Sequence, residues 1–295
     1  MTGVDPSAHG AETIPHCYRH PDRETYIRCQ RCGRPICPDC MRAASVGFHC
    51  PECVREGSAG VRQARTAYGG RINTRASLVT GIIIGINLVM FVIANATQGP
   101  LGGVGDFVDS TALIPDASVY GPSVDGVAQG AYWELLTSTF LHIQVFHLLM
   151  NMLGVWIFGT FLETVLGRWR FLALYLVTGL VGSVTVYWFA DPHSLSLGAS
   201  GSVFGLFGAS LVILLKQRRD VSQLLLLLGI NLVLTFTVAS ISWQAHVGGL
   251  LAGLALGAGY AYAPRSQRTA VHIGLLAAMV LLCVILTIAR TNQLT

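Results

Sequence analysis

Long apolar runs separated by short polar segments dominate the chain after its first quarter. Each run approaches the length of about 20 residues that an α-helix needs to cross the hydrocarbon core of a bilayer. We predict seven transmembrane helices, over residues 76–96, 139–163, 170–190, 200–216, 222–240, 243–263 and 271–290. The predicted fold class is therefore an all-α polytopic membrane protein.

Charged residues are sparse and unevenly placed. Only 12% of the 295 residues are charged, against roughly 25% in soluble domains, which argues against a large soluble helical protein. Eleven of the 19 Lys and Arg residues precede Ala76, and seven of the eight cysteines precede Val54. The chain is thus predicted to comprise a cysteine-rich domain at 14–55, a linker at 56–75 and a membrane domain at 76–295.

Positive charge alternates along the predicted loops. Basic residues precede the first helix and follow the second, fourth and sixth, whereas the loops at 98–132 and 191–197 contain none. Arg290, at the far end of the last helix, is the exception. Because cytoplasmic loops are enriched in Lys and Arg, we predict a cytoplasmic N-terminus and an outer C-terminus. The first 30 residues show no signal-peptide pattern, and a multi-pass cell-membrane protein is expected, although an organelle membrane is also compatible.

Four polar side chains lie within the predicted membrane helices, where polar groups are costly. His147 and Asn151 are four residues apart on one face of the second helix. Ser200 begins the fourth helix, and His246 lies about one turn into the sixth. Helices two, four and six enter from the same predicted side, so these side chains are expected at similar depths.

Together the four side chains provide the components of acyl transfer. Ser200 is the candidate nucleophile and His246 its base, while Asn151 and His147 are candidate donors to the developing oxyanion. No Asp or Glu is placed to orient His246, which favours a dyad over a triad. Taken singly, Ser200 fits a packing residue better than a nucleophile, His147 and Asn151 fit an interhelical hydrogen-bond pair, and His246 fits a structural histidine. Ser202, the nearest alternative hydroxyl, is expected to face away from His246.

Glycines recur at spacings of three and four on the helices that carry Ser200 and His246. Small residues at this spacing allow membrane helices to approach closely, which would bring the serine to the histidine. The glycines are Gly201, Gly205 and Gly208 on the fourth helix and Gly249, Gly253 and Gly257 on the sixth.

Over about residues 76–265 the chain resembles the rhomboid family of intramembrane serine proteases, with a seventh helix added after the six-helix core. The motifs are His147-x-x-x-Asn151, Gly198-Ala199-Ser200-Gly201 and Ala245-His246-Val247-Gly248-Gly249, with Leu141-His142, Glu163 and Gly167 also fitting. The resemblance implies a Ser200–His246 dyad without a catalytic cofactor. It also implies an oxyanion hole of Asn151, His147 and the Ser200 amide. Substrates would be transmembrane helices of membrane proteins, cleaved near the outer face.

Two residues depart from the family pattern. Trp133-Glu134 stands where many members have Trp-Arg, and Phe204 replaces a frequent Tyr. The alternative functions are a catalytically inactive relative that binds and delivers membrane proteins, and a transporter. A transporter would be expected to show internal repeats and buried acidic coupling residues, and we find no convincing repeat.

The cysteine-rich domain contains four ligand pairs of the form ligand-x-x-ligand. They are Cys17 and His20, Cys29 and Cys32, Cys37 and Cys40, and Cys50 and Cys53. Eight ligands complete two tetrahedral zinc sites, and filled sites indicate structural rather than catalytic ions. Disulfides are disfavoured in the cytosol. A domain of about 40 residues with little apolar content is expected to need metal to fold.

The order of the pairs resembles a B-box-type zinc finger. The resemblance implies that the first and third pairs share one Zn²⁺ and the second and fourth pairs share the other. Sequential pairing, and His49 in place of Cys50, remain open. We expect this domain to bind an unidentified protein partner. Its basic residues are interpreted as a solvated surface, and nucleic acid is not expected as a partner.

Overall fold

The structure is a computed structural model that describes residues 14–61, 65–70, 77–97, 105–120 and 124–295. The chain divides into two compact units, residues 1–63 and 64–295, which are described separately.

The first unit is small and has few regular elements. Strand β1 (His16–Cys17) pairs with β2 (His20–Glu24), β3 (Arg42–Ala43) pairs with β4 (Phe48–His49), and both pairs are antiparallel. Helix α1 follows at Pro51–Ala59. The buried core among its described residues consists of six cysteines and Ile36, and the seventh cysteine of the unit, Cys32, is exposed. A core of this kind has little hydrophobic stabilisation of its own.

The described part of the second unit is helical and contains one long helix for each predicted transmembrane segment. Two short helices, α3 (Asp106–Asp109) and α4 (Glu134–Thr137), lie between the first two long helices. The long helices are α2 (Leu78–Ala96), α5 (Val145–Leu166), α6 (Arg168–Phe189), α7 (Ser200–Lys216), α8 (Ser222–Thr237), α9 (Trp243–Tyr262) and α10 (Arg268–Leu294). Helices α2, α5, α6 and α10 are long and apolar enough to cross a membrane, and α7 and α8 are shorter apolar helices. The predicted polytopic all-α fold is confirmed.

Helix α5 begins six residues later than the predicted run. A 3₁₀ turn occupies Ser138–Phe140, and Leu141 is extended. The carbonyl of Ser138 accepts a hydrogen bond from the Gly198 N–H at 2.9 Å. Residues 138–144 therefore form a connection that contacts the segment before α7 rather than another turn of helix.

Helix α7 lies at the centre of the bundle, and α8 lies at its edge. Every residue from Gly201 to Ser210 is buried. On α8 only Leu228 and Thr235 are buried. In a membrane bundle the most enclosed helix contacts protein on all sides, whereas an edge helix has most of its surface available to lipid.

The first helix of the bundle is capped by a side chain from another helix. Glu163, at the end of α5, accepts hydrogen bonds from the Val79 N–H (3.1 Å) and from the N–H and hydroxyl of Thr80 (both 2.9 Å). A carboxylate satisfies the unpaired N–H groups and the positive dipole at a helix N-terminus. Arg168 lies 3.7 Å from the same carboxylate. This cap fixes α2 against α5.

The Trp133-Glu134 pair anchors the segment between α2 and α5. Trp133 donates its indole N–H to the Ser110 carbonyl at 2.9 Å. Glu134 is fully buried and accepts the Ile114 N–H at 3.0 Å, while its other carboxyl oxygen has no partner among the described residues. Burial raises the pKa of this carboxyl to about 8. Glu134 therefore has a structural role where many family members have Arg.

We predict that Glu134→Gln stabilises the protein at alkaline pH. A carboxyl whose pKa is higher in the folded than in the unfolded state stabilises the fold fully at pH values below its unfolded-state pKa. This stabilisation is lost as the pH rises through the folded-state pKa. Gln retains an acceptor for the Ile114 N–H and carries no charge. Thermal unfolding in detergent should show similar stability for parent and variant at pH 5. At pH 8.5 the variant should be more stable, by on the order of 2 kcal/mol. An equal difference at both pH values would contradict a titrating Glu134.

Candidate active site and metal centres

Ser200 is the first residue of α7, and the chain before it is held by a constrained glycine. Gly198 has a φ of +130°, and a Cβ atom there would lie 2.6 Å from Cε1 and 2.8 Å from Nε2 of His147. Backbone conformation and space thus both require glycine. The imidazole of His147 lies against this backbone, two residues before Ser200.

His246 lies beside the first turn of α7. Its ring stacks on Phe204, with centroids 4.1 Å apart and planes at 16°. The side chain is buried, and Phe204 follows Ser200 by four residues, about one helical turn. The structure therefore places the histidine next to the turn that begins with Ser200. Phe204, although not Tyr, provides the ring contact.

Helices α7 and α9 approach through their glycines, as the glycine spacing predicts. A Cβ atom on Gly249 would overlap the carbonyl oxygen of Gly201, and one on Gly253 would overlap that of Gly205. One on Gly208 would lie 2.7 Å from the Leu250 carbonyl oxygen. Backbone meets backbone along this interface, and a methyl group would separate the helices.

Ser202 faces away from the histidine, as expected. Its hydroxyl is buried and donates to the Tyr175 carbonyl on α6 at 2.9 Å. The same oxygen would overlap a Cβ atom on Gly179, also on α6. Ser202 is therefore a packing residue between α6 and α7.

Asn151 belongs to a polar group that includes His142, a residue that fits the sequence motifs but has no role assigned from sequence. Its Nδ2 atom lies 3.2 Å from Nε2 of His142 and 3.1 Å from the His147 carbonyl oxygen. The ring of His142 is 5.0 Å from that of His147, and its Nε2 accepts the Ala199 N–H at 3.4 Å. In this arrangement both amide hydrogens of Asn151 are directed to protein acceptors, so donating to an oxyanion would require the amide to reorient. His142 precedes His147 and Asn151 in the sequence, but only its contacts in the folded structure indicate a role.

A residue that the sequence motifs do not include lies on α8. The Thr235 hydroxyl oxygen is 2.7 Å from Nδ1 of His246. Its sequence signal was weak, because threonines are common in membrane helices and this one is separated from the histidine by a turn between two helices.

The N-terminus of α7 suits the stabilisation of negative charge. The first N–H groups of a helix have no partner within it, and the helix dipole is positive at this end. A carbonyl bound beside Ser200 would thus develop its negative charge near donors that are already oriented. His147 adds an imidazole on the Gly198 side.

Two groups of four ligand atoms occur in the N-terminal unit. Within each group the atoms lie within 4.8 Å of one another, and each group can hold a metal ion. One is Cys17, His20, Cys37 and Cys40, and the other is Cys29, Cys32, Cys50 and Cys53. The first group combines the first and third ligand pairs, and the second combines the second and fourth. Neither group includes His49.

Electrostatics within the first group favour a cation. Burial opposes ionisation of Cys17, but nearby backbone N–H groups lower its pKa to about 6. Burial and the neighbouring thiols Cys17 and Cys37 raise the pKa of Cys40 to about 11. The first thiolate forms readily, and its negative charge opposes ionisation of the neighbouring thiols. Metal ligation requires deprotonated thiols, and the charge of a bound divalent cation would offset the repulsion between them.

The fold and this site define a polytopic helical membrane protein in which a half-buried serine at the start of α7 lies among buried histidine and asparagine side chains. The chain belongs to the rhomboid family. A model of the rhomboid domain matches residues 129–263. The chain is 35% identical over 136 residues to a putative rhomboid protease, YdcA, of Bacillus subtilis (strain 168), covering 44% of this chain and 68% of that protein.

Other relatives share only part of their length with this chain. Rhomboid protease GluP of Bacillus subtilis (strain 168) is 39% identical over 132 residues, which is 43% of this chain and 26% of GluP. RHOMBOID-like protein 6, mitochondrial, of Arabidopsis thaliana is 40% identical over 131 residues, 42% of each chain. The matched rhomboid domain lies in the membrane region and contains none of the ligand cysteines of the N-terminal unit.

We predict that Gly249→Ala destabilises the folded membrane domain. The added methyl overlaps the Gly201 carbonyl oxygen, so α9 must move away from α7, and overpacking of this kind costs about 1–3 kcal/mol. Thermal unfolding of the purified protein in detergent would measure the effect. Gly274→Ala on α10 is the matched control, because no atom lies within 4 Å of its Cβ position. Equal behaviour of the two variants would show that the glycine contact is unimportant.

Proposed function

We propose that this protein is an intramembrane serine endopeptidase that cleaves transmembrane helices with a Ser200–His246 dyad. The observation that carries the proposal is the position of His246, stacked on Phe204 beside the α7 turn that begins with Ser200. The similarity to a named rhomboid protease supports it. A relative that only binds membrane helices would not need this serine and histidine together.

In the proposed reaction, Ser200 Oγ attacks the scissile carbonyl carbon while its proton passes to His246. The tetrahedral intermediate places negative charge on the former carbonyl oxygen. The Ser200 N–H, His147 and a reoriented Asn151 donate to this oxygen. Collapse breaks the C–N bond, and the imidazolium gives its proton to the leaving amine. Water activated by His246 then hydrolyses the acyl-enzyme and restores the serine.

The proposed substrates are single membrane-spanning helices of other proteins. In a membrane helix every backbone carbonyl is hydrogen-bonded, so a peptide bond must leave the helix before a serine can reach it. Small or helix-destabilising residues lower the cost of local unwinding. We place the cleavage near the outer face of a cell membrane, with the N-terminus in the cytoplasm, in agreement with the distribution of basic residues.

We also propose that each four-ligand group of the N-terminal unit binds one structural Zn²⁺. Three or four thiolates with at most one imidazole form the donor set that zinc prefers, and four protein ligands leave no open position for chemistry. Zinc would substitute for the missing apolar core of this unit. We propose that the stabilised domain binds a protein partner, and that catalysis requires no metal.

Cleavage of a single-pass reporter helix in liposomes tests the dyad. We expect Ser200→Ala and His246→Ala to lower the cleavage rate at least about 1000-fold, because each removes an essential partner of nucleophilic catalysis. Ser202→Ala is the matched serine control and should retain activity, with a stability loss of about 1 kcal/mol from its hydrogen bond to Tyr175. A parent protein that binds several reporters but cleaves none would refute the protease and favour the helix-binding relative.

Metal analysis of the purified protein tests the zinc proposal. We expect two zinc ions per chain and one in Cys37→Ser, because loss of one thiolate disrupts one group of four. Cys283→Ser is the control, since this cysteine lies buried in α10 and outside both groups. EDTA should leave reporter cleavage by zinc-loaded protein unchanged. A metal content unaffected by Cys37→Ser would rule out the assigned group.

A further inference from the structure

Thr235 is the point at which α8 contributes a buried polar atom to the site. Most of α8 is exposed, and its only buried residues are Leu228 and Thr235. The Thr235 side chain is 2% exposed, and its hydroxyl oxygen lies 2.7 Å from Nδ1 of His246. This distance is short enough for a strong hydrogen bond to the histidine.

The direction of this hydrogen bond follows from a second contact of the same hydroxyl. The Thr235 hydroxyl lies 2.7 Å from the Asn231 carbonyl oxygen, one turn earlier on α8. A hydroxyl has one proton and two lone pairs, and a carbonyl oxygen can only accept. The proton is therefore donated to Asn231, and a lone pair faces His246. For a hydrogen bond to form there, Nδ1 of His246 must carry the imidazole proton.

We propose that Thr235 is a positioning residue that fixes the tautomer and orientation of His246. A neutral imidazole with its proton on Nδ1 has its lone pair on Nε2, the nitrogen left to accept the proton of Ser200. In serine proteases with a triad, a carboxylate holds the histidine in this form. The inference rests on the proposed protease function and assigns that orienting role to a neutral hydroxyl.

A neutral acceptor suits the position of this histidine. Burying an unpaired carboxylate in a membrane bundle is costly, whereas a hydroxyl that is already bonded to its own helix is not. Phe204 restrains the plane of the imidazole by stacking, and Thr235 restrains its rotation within that plane. Together the two contacts define which nitrogen faces α7.

The chain provides a matched control on the same helix. Thr237 donates its hydroxyl to the Val233 carbonyl at 2.8 Å, the same local bond that Thr235 makes to Asn231, but its side chain is exposed. Thr235→Val and Thr237→Val therefore remove equivalent hydroxyls and equivalent local bonds. Only the first variant removes a contact with His246.

The kinetic experiment compares Thr235→Val, Thr235→Ser and Thr237→Val with the parent on the reporter helix in liposomes. We expect Thr235→Val to lower kcat by about 10- to 100-fold, the effect of losing a hydrogen bond to a group that becomes charged. KM should change little. Thr235→Ser should have a kcat within a few-fold of the parent value. Thr237→Val should have the same kcat as the parent. Unchanged kcat in Thr235→Val, or failure of Thr235→Ser to restore it, would overturn the proposal.

A spectroscopic experiment tests the tautomer without requiring catalysis. In protein labelled with ¹⁵N-histidine, the His246 signals are assigned by their absence from His246→Ala. We expect a protonated Nδ1 and an unprotonated Nε2 in the parent, and a mixture of tautomers in Thr235→Val. A protonated Nε2 in the parent would overturn the proposal even if cleavage is observed. An inactive parent with the expected tautomer would instead refute the protease function and leave the Thr235 bond established.

Discussion

Direct backbone contact between α7 and α9 is the constraint on which the rest of the membrane domain depends. Gly249 meets the Gly201 carbonyl and Gly253 meets that of Gly205, with no room for a methyl group at either point. Lipid is as apolar as a leucine side chain, so this association relies on close packing rather than on burial from water. The register of the glycines fixes how far along α9 His246 stands relative to the start of α7. A shift by one turn would keep the packing surfaces but separate the histidine from Ser200.

Several polar groups elsewhere in the domain are hydrogen-bonded to side chains from other segments of the chain. Glu163 at the end of α5 caps α2, and Glu134 holds the backbone of Ile114. His142 joins Asn151 to the backbone just before Ser200. In a membrane, water is not available to supply missing hydrogen bonds, so each of these contacts also determines where its helix must lie. The site is thus positioned by the same bonds that satisfy the bundle.

Hydropathy predicted the long helices because about 20 apolar residues have few alternatives in a membrane protein. It placed the start of α5 too early, because the apolar residues Phe140, Leu141 and Ile143 extend the run but lie in a 3₁₀ turn and the connection that follows it. Ser200 and His246 could be proposed from sequence since each is a polar residue in an apolar helix with a recognisable neighbourhood. Thr235 could not, because its role depends on an approach of α8 to α9 that no local pattern encodes. From sequence, Glu134 could be recognised only as a departure from the family's Trp-Arg pattern. Its structural role could not be predicted, because its hydrogen-bond partner, the Ile114 N–H, is distant in sequence.

In the proposed reaction, the arrangement around His246 lets catalysis proceed with little resting charge. A Thr235 acceptor adds none, and the imidazole and serine are neutral before reaction. Charge then appears only as the reaction proceeds, as an imidazolium and an oxyanion that form together beside α7. In surroundings of low dielectric constant the attraction between these new charges is strong, and the α7 N-terminus stabilises the negative one. A carboxylate beside His246 would stabilise the imidazolium further, but it would have to remain buried and charged throughout the resting state. The hydroxyl of Thr235 therefore orients the base while leaving the large electrostatic gain to the transition state.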